Sequence, residues 1–182
     1  MSKKKRPDAQ ALCFIGIFVA LTAVMAQISV PLPLGVPLTM QTFAVSITGI
    51  LLGNRLGFWA VLCYVLLGAT GVPVFAGFTG GPHILAGYTG GFLLSFPAMA
   101  WVIGFFSQRA NKKYAMALGL LAGTALNYTC GILFFSILTG SGLHAAFLAC
   151  AAPFLPTELI KAVLAGTLGT LIKKRARHIL PA

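Results

Sequence analysis

Glu158 and Lys161 are the residues of this chain whose types and spacing could do chemistry. The sequence holds only two acidic residues, and the other, Asp8, sits in a basic N-terminal stretch and reads as a solvated charge. Glu158 and Lys161 are three positions apart, so on a helix they share one face. Their surroundings are apolar, and ionisable groups at membrane depth are costly enough that they usually face a cavity or one another. A carboxylate beside an ammonium can accept from and donate to one polar, neutral group. A ureido ring, with N–H groups flanking a carbonyl, is such a group. The plainer alternative is a capped helix start, since Pro156 and Thr157 suit an N-terminus and Glu158 complements the helix dipole. That accounts for Glu158 but leaves Lys161 without a purpose, because an apolar residue there would carry no desolvation cost.

Other chemistry is poorly supplied. One acidic residue in the apolar region cannot make a two-metal site or a carboxylate pair, and His83 and His144 stand apart with no acidic partner, which argues against an intramembrane enzyme. Cys13, Cys63, Cys130 and Cys150 form no C-x-x-C and no zinc spacing. Three of them fall in apolar runs and read as small buried hydrophobes, and Cys150 is the one to watch for reactivity. The chain has no Gly-x-x-x-x-Gly-Lys-Ser/Thr stretch and so no P-loop for ATP. No catalytic residue, metal or cofactor is expected.

The elements that must position the pair are membrane helices. Of 182 residues, 58% are hydrophobic and 8% charged, against about 25% charged in a soluble domain. Residues 11–28, 56–108 and 114–157 contain no charge. A hydrocarbon core of about 30 Å is crossed by about 20 apolar residues in a helix, and the alternating strands of a barrel are absent. The expected fold is an all-α membrane protein, a six-transmembrane-helix bundle forming a single integral membrane domain over residues 1–182. Its spans fall at about 11–28, 36–53, 56–74, 86–106, 115–138 and 156–173. Pro31, Pro33, Gly35 and Pro37 break the chain ahead of the second span, so its first turns are expected to be irregular.

The net charge of +11 sits in short clusters at helix ends. That placement fits topology signals and anionic lipid headgroups and argues against nucleic acid. Twelve of the thirteen Lys and Arg fall on the side of the two termini: Lys3, Lys4, Lys5, Arg6, Arg55, Arg109, Lys112, Lys113, Lys173, Lys174, Arg175 and Arg177. The positive-inside rule makes that side cytoplasmic, with both termini inside and the chain multi-pass in a bacterial cytoplasmic membrane. A secretory signal ending at Val24-Met25-Ala26 is the rival reading of the first span; the apolar stretch is longer than a usual signal core, and more spans follow.

This topology gathers further polar groups on the outer side with Glu158 and Lys161. Thr39 and Gln41 open the second span. Thr79, Gly80, Gly81 and His83 lie in the loop before the fourth, and Tyr88, Thr89, Gly90 and Gly91 at its outer end. Paired glycines let backbone approach a ligand and expose N–H groups, although loop flexibility or tight packing explains any single one. Asn127, mid-span, reads as an interhelical hydrogen bond. Gly16, Ala20 and Ala23 form a small-residue stripe that permits close helix approach, within the bundle or to a partner.

Five stretches together resemble the BioY family, the biotin-specific substrate-capture (S) components of energy-coupling-factor (ECF) transporters, and the resemblance runs over nearly the whole chain. They are PLPLGVPLTMQTFAV from Pro31 to Val45, GILLG from Gly49 to Gly53, GATGVPVFAG from Gly68 to Gly77, GYTGGF from Gly87 to Phe92, and PTELIK from Pro156 to Lys161. The resemblance implies a six-helix bundle that binds biotin near its outer surface, with Glu158 and Lys161 on the polar end of the ligand. Phe75, Tyr88 and Phe92 are expected along the apolar part, and Gln41, Thr39, Thr89 or the backbone at Gly80 and Gly90 on the remaining polar groups. It also implies partners: a transmembrane coupling protein docked on Gly16, Ala20 and Ala23, and two ATPases. The family's usual last-helix motif is Pro-x-Asp-x-x-Lys, so Glu158 carries one methylene more, a shift of about 1.5 Å. Its fourth-helix motif is usually Gly-Pro-Thr-Gly-Gly-Tyr, where this chain has Tyr88 and Phe92. Capture of another vitamin is the alternative within the same class. Thiamine would call for a carboxylate against its cation and riboflavin for a wide aromatic slot, and the Glu–Lys pair suits a neutral head better. A purely structural subunit would leave Lys161 unexplained.

Overall fold

The computed structural model describes residues 9–31, 35–109, 113–176 and 179. Expectations resting on Lys3, Lys4, Lys5, Arg6, Asp8, Pro33, Lys112 and Arg177 lie outside the described residues. Helix α1 (Ala9–Gln27) leads into a short antiparallel ribbon of β1 (Ser29–Val30) and β2 (Leu38–Thr39), with Ser29 opposite Thr39 and Val30 opposite Leu38. Then come α2 (Gln41–Ala69), the one-turn α3 (Pro82–Leu85), α4 (Gly90–Arg109), α5 (Lys113–Thr139), α6 (Leu143–Cys150), a 3₁₀ turn at Ala152–Phe154, and α7 (Leu155–Arg175). Five of these are long and apolar enough to cross a membrane: α1, α2, α4, α5 and the stretch Leu143–Arg175 that ends in α7.

The longest element is a hairpin. Gly53 inside α2 holds φ 75° and ψ −171°, a conformation open to a residue without Cβ. The chain reverses there. Gln41 Nε2 donates to Tyr64 Oη over 2.6 Å across 23 positions, which a straight helix would hold about 35 Å apart. A Cβ on Gly57 would lie 3.3 Å from Gly49 Cα. The arms 41–52 and 54–69 therefore run antiparallel, and the reversal falls where the second and third expected spans meet.

Several ends differ from the expected ones for local reasons. Residues 36–40 are not helical, because Leu38–Thr39 pair with the strand ahead of them. The second arm stops at Ala69 rather than 74, ahead of Gly71 at φ 100° and Pro73, which has no N–H to donate. α4 starts at Gly90, preceded by the separate turn α3. α6 occupies what reads in sequence as the connection 139–155, since eight apolar residues are too few for a span.

Packing centres on α4, which lies between the α2 hairpin and α5. Glycines set these distances. A Cβ on Gly104 would collide with the backbone of Gly53 and Asn54, and one on Gly49 would lie 2.7 Å from the Ala100 carbonyl oxygen. Ile50, Val61, Tyr64, Met99 and Ile103 fill the core between them. α1 buries Phe18, Thr22 and Ala26, four residues apart, against the bundle, with Phe14, Ile15, Val19, Leu21 and Ala23 packed beside them. α7 turns Glu158, Lys161, Ala165 and Gly169 inward and leaves Leu159, Ile160 and Val163 exposed, the polarity a helix takes when its outer neighbour is lipid. One end of the bundle is held by Lys173, whose Nζ donates to the Ser107 carbonyl over 3.1 Å and to Ser107 Oγ over 2.9 Å. Gly104→Ala is expected to cost about 1–3 kcal/mol through overpacking and to lower the melting temperature in detergent. Gly16→Ala, whose added Cβ meets nothing within 4 Å, should leave it unchanged. A wild-type melting temperature for Gly104→Ala would remove this account of the hairpin.

Candidate functional site

The inward face of α7 brings Glu158 and Lys161 against the start of α2. Both are buried, at 7% and 6% exposure. Lys161 Nζ donates to the Thr39 carbonyl over 2.9 Å, to Thr42 Oγ1 over 2.9 Å, and to Glu158 Oε1. Thr42 Oγ1 in turn donates to Glu158 Oε1 over 3.0 Å. The three ammonium hydrogens are thus all taken. Among the described residues, the hydrogen bonds from Lys161 and Thr42 both fall on Oε1, and the Tyr128 hydroxyl also lies within hydrogen-bond reach of the carboxylate. Buried charges need such pairing and hydrogen bonding to be tolerable. Thr42, which no sequence motif singled out, closes the network because it stands one position past Gln41 on the helix facing α7.

The pair forms one end of a cavity of about 270 Å³, close to the small end of ligand pockets, about 300 Å³. Its walls come from the loop 35–37, from α2, from the loop 75–79, and from α4, α5 and α7. Of the residues expected from sequence, Thr39, Gln41, Phe75, Thr89, Phe92, Glu158 and Lys161 all line it. Gly80, Tyr88 and Gly90 do not. Gly80 packs on the carbonyls of Gly71 and Val72, and Gly90 on the carbonyl of Leu85, so both serve loop and helix packing. Tyr88, half exposed, sets its ring 5.6 Å from that of Phe135 and beneath Gly35, which does line the cavity.

Phe75 is placed from three sides. Its ring meets Tyr64 edge-on at 5.6 Å and sits over Gly68, where any Cβ would collide. Its carbonyl accepts from Gln27 Nε2 over 3.1 Å, while Gln27 Oε1 accepts from the Phe78 N–H over 2.9 Å. Tyr64 Oη donates to the Val74 carbonyl over 3.0 Å. The end of α1 and the second arm of α2 therefore fix the loop that carries Phe75. Tyr128, Asn127, Cys150 and Phe154 also line the cavity. Tyr128 stands edge-on to Phe92 at 5.7 Å. Sequence reasoning missed Tyr128 and Phe154 because a lone aromatic in an apolar run carries no signal. Cys150 is buried, its Sγ donating to the Ala146 carbonyl over 2.9 Å.

A bundle of membrane-length helices around a small cavity, with one buried carboxylate–ammonium pair at its end, defines a multi-pass membrane protein built to hold a small molecule. A model of the BioY family matches residues 1–178, and the chain belongs to the BioY family. It is 39% identical over 157 residues to the "Probable biotin transporter BioY" of Pyrococcus horikoshii, covering 86% of this chain and 92% of that one. It is 39% identical over 160 residues to the "Biotin transporter BioY" of Thermotoga maritima, covering 87% and 93%. Its fold resembles the S-component for biotin from an ECF-type ABC transporter solved at 2.1 Å, with a TM-score of 0.84, 22% identity, and 96% and 95% of the two chains covered. Both relatives carry the name of biotin transporters.

The buried network makes an energetic prediction. Lys161→Met leaves the Glu158 carboxylate buried without its counter-charge, and breaking a buried pair in this way costs about 3–5 kcal/mol. The double variant Glu158→Gln/Lys161→Met should cost less than the two single changes added together. Thermal denaturation of all four proteins in detergent checks this; strict additivity would mean that the two side chains do not act as a pair.

Proposed function

We propose that this chain captures biotin at the outer face of the cytoplasmic membrane, as the substrate-binding subunit of an ECF-type uptake system. The observation that carries the reading is the Glu158–Lys161–Thr42 network at the end of a largely apolar cavity, in a chain of the BioY family. Biotin has a polar, neutral ureido head and an apolar body, and the cavity has one polar end and aromatic walls. Glu158, held by Lys161 and Thr42, takes the head. Phe75 and Phe92 flank the body. Thr39, Gln41 and Thr89 offer further polar groups.

The membrane topology that goes with this function has six crossings and both termini cytoplasmic. The antiparallel α2 hairpin supports it, because its two arms run up and back where a straight helix would pass once. The charge distribution supports the orientation. Lys173, Lys174 and Arg175 close α7 at the end opposite Glu158 and Lys161, and twelve residues of helix between Lys161 and Lys173 make about 18 Å. Partners of the reading are a transmembrane coupling protein and two ATPase subunits. Gly16 and Ala20 are exposed on α1, and the line α1 buries in the bundle runs elsewhere, through Phe18, Thr22 and Ala26. That arrangement supports Gly16 and Ala20 as partner-facing, whereas Ala23, half-buried, packs against the bundle's own core.

Labelled biotin is expected to bind the purified protein in detergent, to resist excess thiamine and riboflavin, and to bind at least tenfold more weakly to Lys161→Ala, about 1.4 kcal/mol. A folded wild type that ignores biotin would overturn the assignment, and an indifferent variant would overturn the placement of the pocket. Ala20→Trp should leave biotin binding intact while abolishing energised uptake in cells that supply the coupling module. Uptake at the wild-type rate would mean that docking uses another surface.

A further inference from the structure

Asn127 lies midway along α5, is wholly buried, and lines the same cavity as Glu158. Its amide is locked in one orientation. Nδ2 donates to the Phe92 carbonyl over 2.9 Å and to Ser95 Oγ over 2.8 Å. The Ser95 hydroxyl directs its own proton at carbonyls, Gly91 at 2.8 Å and Phe92 at 3.0 Å, so toward Asn127 it can only accept. Turning the amide over would set Oδ1 against the Phe92 carbonyl oxygen with no proton between them. Asn127 therefore does make the interhelical bond expected from its sequence position, but with its nitrogen alone. Its Oδ1 is the one buried side-chain nitrogen or oxygen that has no hydrogen-bond partner among the described residues. An unpaired buried acceptor is costly, and a leucine here would avoid the cost.

We propose that Asn127 Oδ1 accepts a hydrogen bond from an N–H group of the captured molecule. The cavity then presents two acceptors on two helices, the unpaired Asn127 Oδ1 from α5 and the Glu158 carboxylate from α7, whose oxygens have lone pairs beyond those taken by Lys161 and Thr42, and it selects a ligand head that carries two N–H groups. This rests on the reading of the cavity as a biotin site and deepens it, since the ureido ring has two such groups. The committed state of Lys161 points the same way. With all three of its hydrogens on Thr39, Thr42 and Glu158, the polar end of the cavity offers acceptors to a ligand rather than spare cationic donors. A head whose nitrogens lack hydrogens would leave one acceptor unpaired, and sites built to hydrogen-bond a group reject analogues that lack it. A ligand held at both points also ties α5 to α7, helices that otherwise touch sparingly.

The test compares biotin with two derivatives, each methylated on a different ureido nitrogen, as competitors of labelled biotin on wild type, Asn127→Leu, Asn127→Asp and Ser95→Ala. Wild type should bind each derivative at least about tenfold more weakly than biotin. Asn127→Leu should bind biotin at least about tenfold more weakly than wild type and lose the penalty for one derivative while keeping it for the other. Asn127→Asp, in its protonated form, keeps an acceptor oxygen in the same volume while its O–H replaces Nδ2 as donor to the Phe92 carbonyl, and should recover part of the loss. Biotin binding by Asn127→Leu at wild-type strength, or both methylation penalties intact in it, would overturn the proposal. If the leucine variant does not fold, Ser95→Ala carries the test: it loosens the amide and should shrink the penalty for the same derivative, and unchanged penalties count against Asn127. A folded wild type that binds no biotin would instead remove the parent reading and this one with it.

Discussion

The structure depends on keeping a carboxylate and an ammonium buried one turn apart in a helix that faces lipid on its other side. Neither charge is tolerable alone at that depth. The partners that make them tolerable are backbone and hydroxyl groups at residues 39–42, more than a hundred positions earlier in the chain. The strand β2 and the late start of α2 follow from this need. Were residues 36–40 helical, the Thr39 carbonyl would bond along its own helix; as a strand residue it is turned to accept from Lys161. The ribbon β1–β2, which looks like a minor departure from an all-helical bundle, is what frees that acceptor.

The second constraint is the approach of α7 and α4 to the α2 hairpin. A hairpin of two helices with a single-residue break needs a conformation that β-carbons disfavour, and Gly53 supplies it. Once the arms lie side by side, Tyr64 reaches Gln41 and Val74 together, which couples the α2 start to the loop bearing Phe75. Gln27 then joins α1 to that loop. The cavity wall, the hairpin and the helix proposed to meet the partner thus share one short chain of hydrogen bonds.

Much of this was legible in the sequence, and the parts that were not share a cause. Helix α7 and its inward pair could be read because a lysine in an apolar run is costly and has few explanations. The break at Gly53 could be placed because Asn54 and Arg55 interrupt a hydrophobic run. The gathering of Thr39, Gln41, Phe75, Thr89 and Phe92 around one cavity followed from topology plus motif resemblance. Gly80 and Gly90 carried the same compositional signal as a ligand loop, and they proved to be close-packing positions because a glycine leaves no trace of which neighbour excludes its side chain. Thr42 and Tyr128 were invisible for the opposite reason: polar and aromatic residues scattered on membrane helices acquire meaning only when rotation about the helix axis is known. α6 was hidden because its eight residues are as apolar as the spans but too short to be one.

The arrangement also bears on the proposal that a neutral head occupies this end of the cavity. The pair sums to zero charge, and its cation is saturated by protein acceptors, so an anion gains no free ammonium to pair with. A cation entering would find a carboxylate already neutralised by a lysine one turn away and would bring a second positive charge within a few ångströms of it, a repulsion that low-dielectric surroundings strengthen. What remains attractive is hydrogen bonding to unpaired acceptors, which favours uncharged N–H donors. The longer side chain of Glu158 contributes here. Its Oε1 is anchored to Lys161 and Thr42 at once, and the added methylene gives the carboxylate a reach longer than an aspartate's by about one carbon–carbon bond. On the proposed reading the charge of the pair serves mainly to orient an acceptor, and selectivity comes from where that carboxylate and the unpaired Asn127 oxygen lie.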